Sequence, residues 1–150
     1  MPTVHSRITS TICIANSCEG ATINACVCFL VPSTLFKIGN KKQTQALIVA
    51  PSQELAMQIV EVIREWTVGT EITVQQLIGG ANSARQIEKL KKKPTIVVGT
   101  PGRLNELIRQ GKLKLKEIET VVLDECDQLL SREYRVVVKS FIEGAAFGRG

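Results

Sequence analysis

The sequence predicts an α/β domain in which a mostly parallel β-sheet is covered by helices on both faces. Short apolar runs rich in β-branched residues recur along the chain, and they alternate with segments of helical periodicity. Apart from residues 73–78, which include Gln75 and Gln76, these runs are continuous rather than alternating, which is typical of parallel strands buried on both faces. With 150 residues the chain is long enough to bury one substantial core, so we expect a single domain.

Five apolar runs predict the strands of this sheet. In chain order they are residues 11–15, 46–50, 73–78, 95–98 and 121–123. Turn-forming residues follow three of these runs. Pro51 follows the second run, Gly79 and Gly80 follow the third, and Gly99 follows the fourth.

The segments between these runs predict the helices. Ser52 is a good N-cap, and Leu55, Ile59 and Ile63 after it share one apolar helical face. Other helices are expected at residues 22–30, 82–92, 132–143 and from about residue 103 to 110. Polar loops are expected at residues 16–20, 36–43 and 111–116, and the glycine-rich end, 144–150, is expected to be loose.

Carboxylates end the fifth apolar run abruptly, at Asp124 and Glu125. Ligands bind at the carboxyl ends of strands in open α/β sheets, so these side chains are expected on a ligand-binding rim. In nucleotide-hydrolysing domains with a phosphate loop, such an Asp holds the metal that bridges the phosphates, and a neighbouring acid orients the attacking water. A solvated strand-to-helix turn with an acidic cap explains the same spacing equally well.

Positive charge is concentrated in one part of the chain. The formal net charge is +5, and residues 85–116 contain ten Lys or Arg against two acidic residues. A basic segment favours a polyanionic partner, although a solvated lysine-rich surface is the commoner origin of a charge run. Aromatic residues make up only 4% of the chain, so base stacking on aromatic side chains is not the expected mode of nucleic-acid contact.

The five cysteines indicate a reduced, intracellular protein, because their number is odd and no signal peptide precedes them. Four of them lie between Cys13 and Cys28, but their spacing does not match paired zinc knuckles, so buried thiols are favoured over a metal site. Uninterrupted apolar runs are shorter than the ~18–20 residues of a membrane span, and we expect no membrane partner.

Four short motifs together resemble the first RecA-like domain of DEAD-box RNA helicases. They are residues 51–56, 79–80, 100–103 and 124–127, in the order and at the spacing of the family. The resemblance implies a three-layer RecA-like P-loop NTPase fold that binds ATP, Mg2+ and the backbone of single-stranded RNA. By this resemblance Asp124 and Glu125 are catalytic. The residues implied in RNA binding are Pro51, Ser52, Gln53, Gly79, Gly80, Thr100, Pro101, Gly102 and Arg103.

Elementary chemistry supports these assignments. Helix N-termini and backbone amides in turns can meet phosphates, paired glycines allow a strand of nucleic acid to approach closely, and Arg103 offers a planar fork for a phosphate. Each motif is also compatible with a plain strand-to-helix turn. Gln53 stands where the family has an arginine, which removes one phosphate contact.

The phosphate loop departs from the family pattern, Ala-x-Thr-Gly-x-Gly-Lys-Thr. The implied nucleotide-binding residues are Ser17, Cys18, Glu19, Gly20, Ala21 and Thr22. Cys18 replaces a glycine, Glu19 adds a negative charge, and Ala21 replaces the lysine that reaches the β- and γ-phosphates. We expect these changes to weaken or abolish ATP and Mg2+ binding, by roughly one to two orders of magnitude. Thr22 and Asp124 remain as candidate Mg2+ ligands.

The resemblance also bears on what the chain can do. Residues 1–150 are expected to be a single N-terminal RecA-like helicase domain that ends before the family's coupling motif and lacks the second RecA-like domain. A second domain or partner chain would then be needed for activity, and we predict that the isolated chain is inactive.

Two alternatives to a helicase domain are compatible with the same residues. One is a nucleotide-independent RNA- or protein-binding scaffold of the same fold, and the second is a truncated product without a selected function. Residues 47–52 and 76–82 are most similar to plant organellar members, which favours an organelle within an intracellular location.

Overall fold

Within the residues that the structure describes, five β-strands form one sheet. The structure is a computed structural model, and it describes residues 11–15 (backbone only), 43–80, 83–124, 129 and 131–146. The strands are β1 (Thr11–Ala15), β2 (Ala46–Val49), β3 (Val74–Leu77), β4 (Ile96–Gly99) and β5 (Thr120–Asp124). Each coincides, within one or two residues at either end, with an apolar run of the sequence, so the five predicted strands are confirmed.

Helices connect these strands. They are α1 (Gln53–Trp66), α2 (Ser83–Leu90), α3 (Pro101–Arg109) and α4 (Arg135–Ala146), with a 3₁₀ turn at Leu115–Glu117. The 3₁₀ turn lies in and just after the basic loop predicted at residues 111–116. The helix predicted at residues 22–30 lies outside the described residues.

All strand pairs in the described part of the chain are parallel, and the order across the sheet is β1-β5-β2-β4-β3. The strand ends are in register at one edge, because Ala15 pairs with Asp124, Val49 with both Leu123 and Gly99, and Leu77 with Gly99. We call this edge the carboxyl edge. The predicted α/β class with a parallel sheet is confirmed.

Side chains from alternate strand positions pack on opposite faces of the sheet, as a period of two requires. On one face, Ala46, Ile48 and Val98 pack against the apolar side of α1, which includes Ile59 and Ile63. The other face is covered mainly by α3 and α4. Its core includes Leu47, Val49, Val97, Leu123, Leu104, Leu107, Val138 and Phe141. Helices therefore cover both faces, as the continuous apolar strands predicted.

The fourth helix begins three residues later than the sequence predicts. The carbonyl of Ser131 accepts hydrogen bonds from the N–H groups of both Tyr134 and Arg135, at 3.2 and 2.9 Å. Residues 131–134 therefore form a turn that leads into α4 at Arg135, and the buried Phe141 then anchors the helix in the core.

Candidate nucleotide and RNA site

Asp124 is the last residue of β5 and is 4% exposed. Its Cα partner on the neighbouring strand is Ala15, the last residue of β1. The predicted phosphate loop follows Ala15 directly, so the loop starts beside the carboxylate that was predicted to hold a metal. A carboxylate oxygen is the donor type that Mg2+ prefers, and Asp124 therefore has the chemistry of a ligand for that ion.

The remaining predicted nucleotide residues lie outside the described part of the chain. They are Glu125 and the phosphate-loop residues Ser17, Cys18, Glu19, Gly20, Ala21 and Thr22. All nine predicted RNA-binding residues, by contrast, are described.

The first RNA segment, Pro51 to Gln53, connects β2 to α1. Ser52 has extended backbone, with φ −134° and ψ 156°, and its hydroxyl accepts a hydrogen bond from the N–H of Leu55 at 3.2 Å. Ser52 is therefore the N-cap that the sequence predicted. Both Ser52 and Gln53 are exposed at the carboxyl edge.

The paired glycines follow β3 beside this first segment. A Cβ built on Gly79 would lie 3.5 Å from Nε2 of Gln53, so the two segments are neighbours. Gly80 has a φ of +76°, a conformation that favours glycine, and no described atom lies within 4 Å of its Cβ position. The turn therefore presents bare backbone to the carboxyl edge.

The third segment, Thr100 to Arg103, forms the start of α3. Pro101 occupies the first turn, where a missing N–H costs nothing, and the carbonyl of Thr100 accepts the first helical bond from Leu104 at 3.0 Å. Among the described residues, no N–H group at the helix start donates a capping hydrogen bond to the hydroxyl of Thr100. Gly102 is exposed, so this helix start is open to an anion.

Arg103 is held inside the domain rather than extended toward solvent. Its side chain is 7% exposed. Nε donates to Oε1 of Gln86 at 3.2 Å, Nη1 to Oε2 of Glu106 at 2.8 Å, and Nη2 to Oγ of Ser83 at 2.7 Å. The expectation that Arg103 binds RNA stays a prediction, but its fork is engaged by three side chains of the same chain.

Sequence reasoning missed Gln86, Ser83 and Glu106. Gln86 is 5% exposed, and its Nε2 donates to the carbonyl of Ile78 at 3.0 Å. A signal existed, because Gln86 lies four residues before the buried Leu90 and hence on the same side of α2. A polar side chain in an apolar stripe needs a partner, but the sequence does not say which one.

The exposed lysines of the basic segment lie away from this edge. Lys91, Lys92 and Lys93 precede β4, whereas Lys112 and Lys114 precede β5, so topology places them toward the amino ends of the strands. Lys93 pairs with Glu117 at 3.5 Å, which joins the two loops. Only Arg103, of the basic residues in this segment, belongs to the predicted RNA set.

Comparison with known proteins agrees with this architecture. A family model for DEAD/DEAH box helicases matches residues 7–146. The chain belongs to the DEAD/DEAH box helicase family, as its four motifs predicted.

Several curated relatives are similar to particular stretches of the chain. The probable ATP-dependent RNA helicase YfmL of Bacillus subtilis is 54% identical over 103 residues, which are 69% of this chain and 27% of the relative. The DEAD-box ATP-dependent RNA helicase CshC of Bacillus cereus is 47% identical over 116 residues, 77% of this chain and 30% of the relative. A mitochondrial relative, DEAD-box ATP-dependent RNA helicase 47 of Arabidopsis thaliana, is 51% identical over 109 residues, which are 69% of this chain and 20% of the relative.

The chain thus spans less than a third of the length of these relatives. The crystal structure of a hypothetical ATP-dependent RNA helicase from Sulfolobus tokodaii matches with a TM-score of 0.74 and 24% identity, over 91% of this chain and 38% of that one. This match supports the RecA-like fold. In the described residues, the helices are too short or too polar to span a bilayer.

Proposed function

We propose that this chain is the first RecA-like domain of a DEAD-box ATP-dependent RNA helicase, and that its carboxyl edge holds the phosphate backbone of single-stranded RNA. One observation carries the proposal: exposed residues follow β2, β3 and β4 at that edge, and Gln53 lies next to Gly79. The exposed residues are Ser52, Gln53, Gly80 and Gly102. Exposed backbone amides and a helix N-terminus suit phosphates rather than bases, so binding would not depend on RNA sequence.

The proposed nucleotide site lies beside this surface. Asp124 and Thr22 would hold Mg2+, residues 17–22 would surround the phosphates, and Glu125 would orient water. When bound, Mg2+ would neutralise charge on the phosphates. Ala21 and Glu19 weaken the site, because one lacks the ammonium group of a lysine and the other adds a negative charge.

Calorimetry with Mg2+ and ATP tests this site. We expect the natural chain to bind ATP at least about tenfold more weakly than a variant with Cys18→Gly, Glu19→Ser and Ala21→Lys, because a charged hydrogen bond is restored and a repulsion removed. Asp124→Asn in the repaired variant is the matched control. It should reduce the gain in ATP affinity that Mg2+ provides. Equal binding by the natural and repaired chains would contradict the proposed weakening.

Catalysis by the chain alone is expected to be negligible. Phosphoryl transfer in this class of enzyme is accelerated by an arginine finger, and in this family the second RecA-like domain supplies it. Phosphate release measured with saturating RNA should therefore not exceed that of an Asp124→Asn control. RNA-stimulated release by the purified natural chain would refute this prediction.

A nucleotide-independent RNA-binding scaffold is the second candidate, and the exposed lysines toward the amino ends of the strands favour it. Binding by lysines is strongly salt-dependent and would not respond to ATP. RNA affinity measured with and without Mg2+ and ATP, in the repaired and natural chains, separates the two candidates. Affinity that rises with ATP in the repaired chain supports the helicase domain.

We also propose an intracellular location. The odd cysteine count supports it, and similarity to bacterial helicases and to a mitochondrial plant helicase agrees with a bacterial or organellar setting.

A further inference from the structure

We propose that Arg103 is a positioning residue: it joins the start of α3 to the Gly79–Gly80 turn through Gln86, and it does not contact the RNA phosphate itself. The inference rests on the proposed RNA surface, and it assigns to Gln86 a part in shaping that surface. Three observations carry it. The guanidinium group of Arg103 donates to three side chains, Gln86 bonds both to Arg103 and to the backbone before the glycines, and the glycines have no side chains that could hold the turn in place.

The guanidinium group is bound by side chains of its own chain and is shielded from solvent. Each of Nε, Nη1 and Nη2 donates to a different side chain, and the Arg103 side chain is 7% exposed. Bidentate recognition of a phosphate needs two parallel N–H groups that point at the ligand. Three of the five guanidinium N–H groups donate to these side chains, and the burial of Arg103 leaves a phosphate little access to the other two. To meet a phosphate, Arg103 would have to move, and this would break its bond to Glu106 or its bond to the buried Oε1 of Gln86.

Gln86 transmits this anchoring to the glycine turn. Oε1 accepts from Nε of Arg103, and Nε2 donates to the carbonyl of Ile78, the residue before Gly79. A guanidinium group can only donate and a carbonyl can only accept, so a single orientation of the Gln86 amide satisfies both neighbours. The chain of hydrogen bonds therefore runs without a break from α3 to Ile78, the residue directly after β3.

The glycine turn depends on such an anchor. Gly79 and Gly80 have no side chains that could hold the turn in place. A Cβ built on Gly80 would have no described atom within 4 Å, so no neighbouring group packs there. Backbone contacts to two successive phosphates need a fixed separation between the amides that make them, and disorder in either reduces affinity. Ser83 and Gln86 follow the turn while Ile78 precedes it, so the network holds both of its ends.

Salt-dependent RNA binding tests the inference. Arg103→Gln, Arg103→Lys and Gln86→Met are titrated against a fluorescent oligouridine at several salt concentrations. We expect each variant to bind about tenfold more weakly than the natural chain, because a buried hydrogen-bond network is broken. The slope of log affinity against log salt should not change. Lysine should not restore binding, because it cannot satisfy Gln86, Ser83 and Glu106 together.

A direct phosphate ligand behaves differently. For single strands, each cation that neutralises a phosphate contributes about 0.7 to the salt slope, so Arg103→Gln would lower it by that amount. Arg103→Lys would then keep most of the affinity, and Gln86→Met would bind like the natural chain. That set of results, or unchanged affinity in Gln86→Met alone, overturns the inference.

Two controls separate positioning from other effects. Arg109→Gln removes an exposed arginine from the last turn of the same helix and should leave the affinity unchanged. Val138→Ala removes core packing in α4, a helix that contributes no residue to this hydrogen-bond network, so it should lower the free energy of unfolding without weakening RNA binding. A loss of RNA affinity in Val138→Ala equal to that in Gln86→Met would show that general destabilisation explains the effect.

Amide hydrogen exchange tests the positioning role of Arg103 and Gln86 even if the natural chain does not bind RNA. Exchange at Gly79 and Gly80 should be faster in Arg103→Gln and Gln86→Met than in Val138→Ala. If exchange rises but the natural chain shows no RNA binding, the positioning role stands and the proposed RNA function fails. If exchange at the turn does not rise, the positioning role fails whatever the RNA result.

Discussion

Gly99 and Gly102 lie three residues apart, but packing leaves no room for a side chain at Gly99 and ample room at Gly102. A Cβ on Gly99 would lie 2.6 Å from the carbonyl oxygen of Leu77 and 2.8 Å from Cδ2 of Leu104. The missing side chain thus lets β3, β4 and α3 approach each other. No described atom lies within 4 Å of the Cβ position of Gly102. Packing therefore demands glycine at the first position and not at the second.

Gly99→Ala is expected to lower the free energy of unfolding by about 1–3 kcal/mol, because the added methyl group meets rigid backbone in a packed core. Urea unfolding measures the effect. Gly102→Ala is the matched control and should leave stability unchanged or slightly raised, since alanine favours helix. Equal stability of the two variants would show that the sheet accommodates the methyl group.

The start of α1 combines a structural and a proposed functional role in one side chain. The hydroxyl of Ser52 caps the helix, and the residue is exposed at the proposed RNA surface. The two roles respond differently to charge. A carboxylate is a good N-cap and favours the positive end of the helix dipole, but it repels a phosphate.

Ser52→Ala is expected to cost about 1 kcal/mol of stability, whereas Ser52→Asp should preserve it. On the proposed RNA surface, Ser52→Asp should nevertheless bind oligouridine more weakly than Ser52→Ala, because it adds negative charge next to a phosphate. Thermal unfolding and fluorescence titration measure the two effects. If RNA affinity is the same in both variants, the Pro51–Gln53 segment does not contact the backbone.

In the whole molecule, the RNA motifs and the exposed lysines lie toward opposite ends of the strands. The motifs follow β2, β3 and β4, whereas Lys92, Lys112 and Lys114 precede β4 or β5. The two candidate functions therefore place RNA at different ends of the domain. Substitutions at one end should leave binding at the other largely intact, because the sites are far apart and additive.

Combined Lys92→Gln, Lys112→Gln and Lys114→Gln is expected to reduce RNA affinity less than Ser52→Asp does, because the proposed contacts lie at the carboxyl edge. Titrations at two salt concentrations measure both affinity and slope. If the lysine variant instead loses about 2 from the salt slope, as three lost phosphate contacts would require, the scaffold function is favoured.

Local chemistry was sufficient to predict much of this protein. Continuous apolar runs rich in β-branched residues predicted four of the five strands, because strands buried on both faces are apolar at nearly every position. The third strand is the exception, since it contains Gln75 and Gln76. Ser52 was recognised as an N-cap from its place before an amphipathic segment, and the four motifs predicted the family. Placement of the motifs at one edge also followed, since parallel strands carry their carboxyl ends to the same side.

The tertiary structure alone decided which side chains of α2 surround Arg103. Arg103 was expected to offer its fork to a phosphate, but the fork donates to Ser83 and Gln86 of α2 and to Glu106, one turn further along α3. Gln86 and Arg103 are 17 residues apart, and no periodicity within either helix relates them. A local pattern identifies which residues can donate and accept, but the fold determines which of them meet.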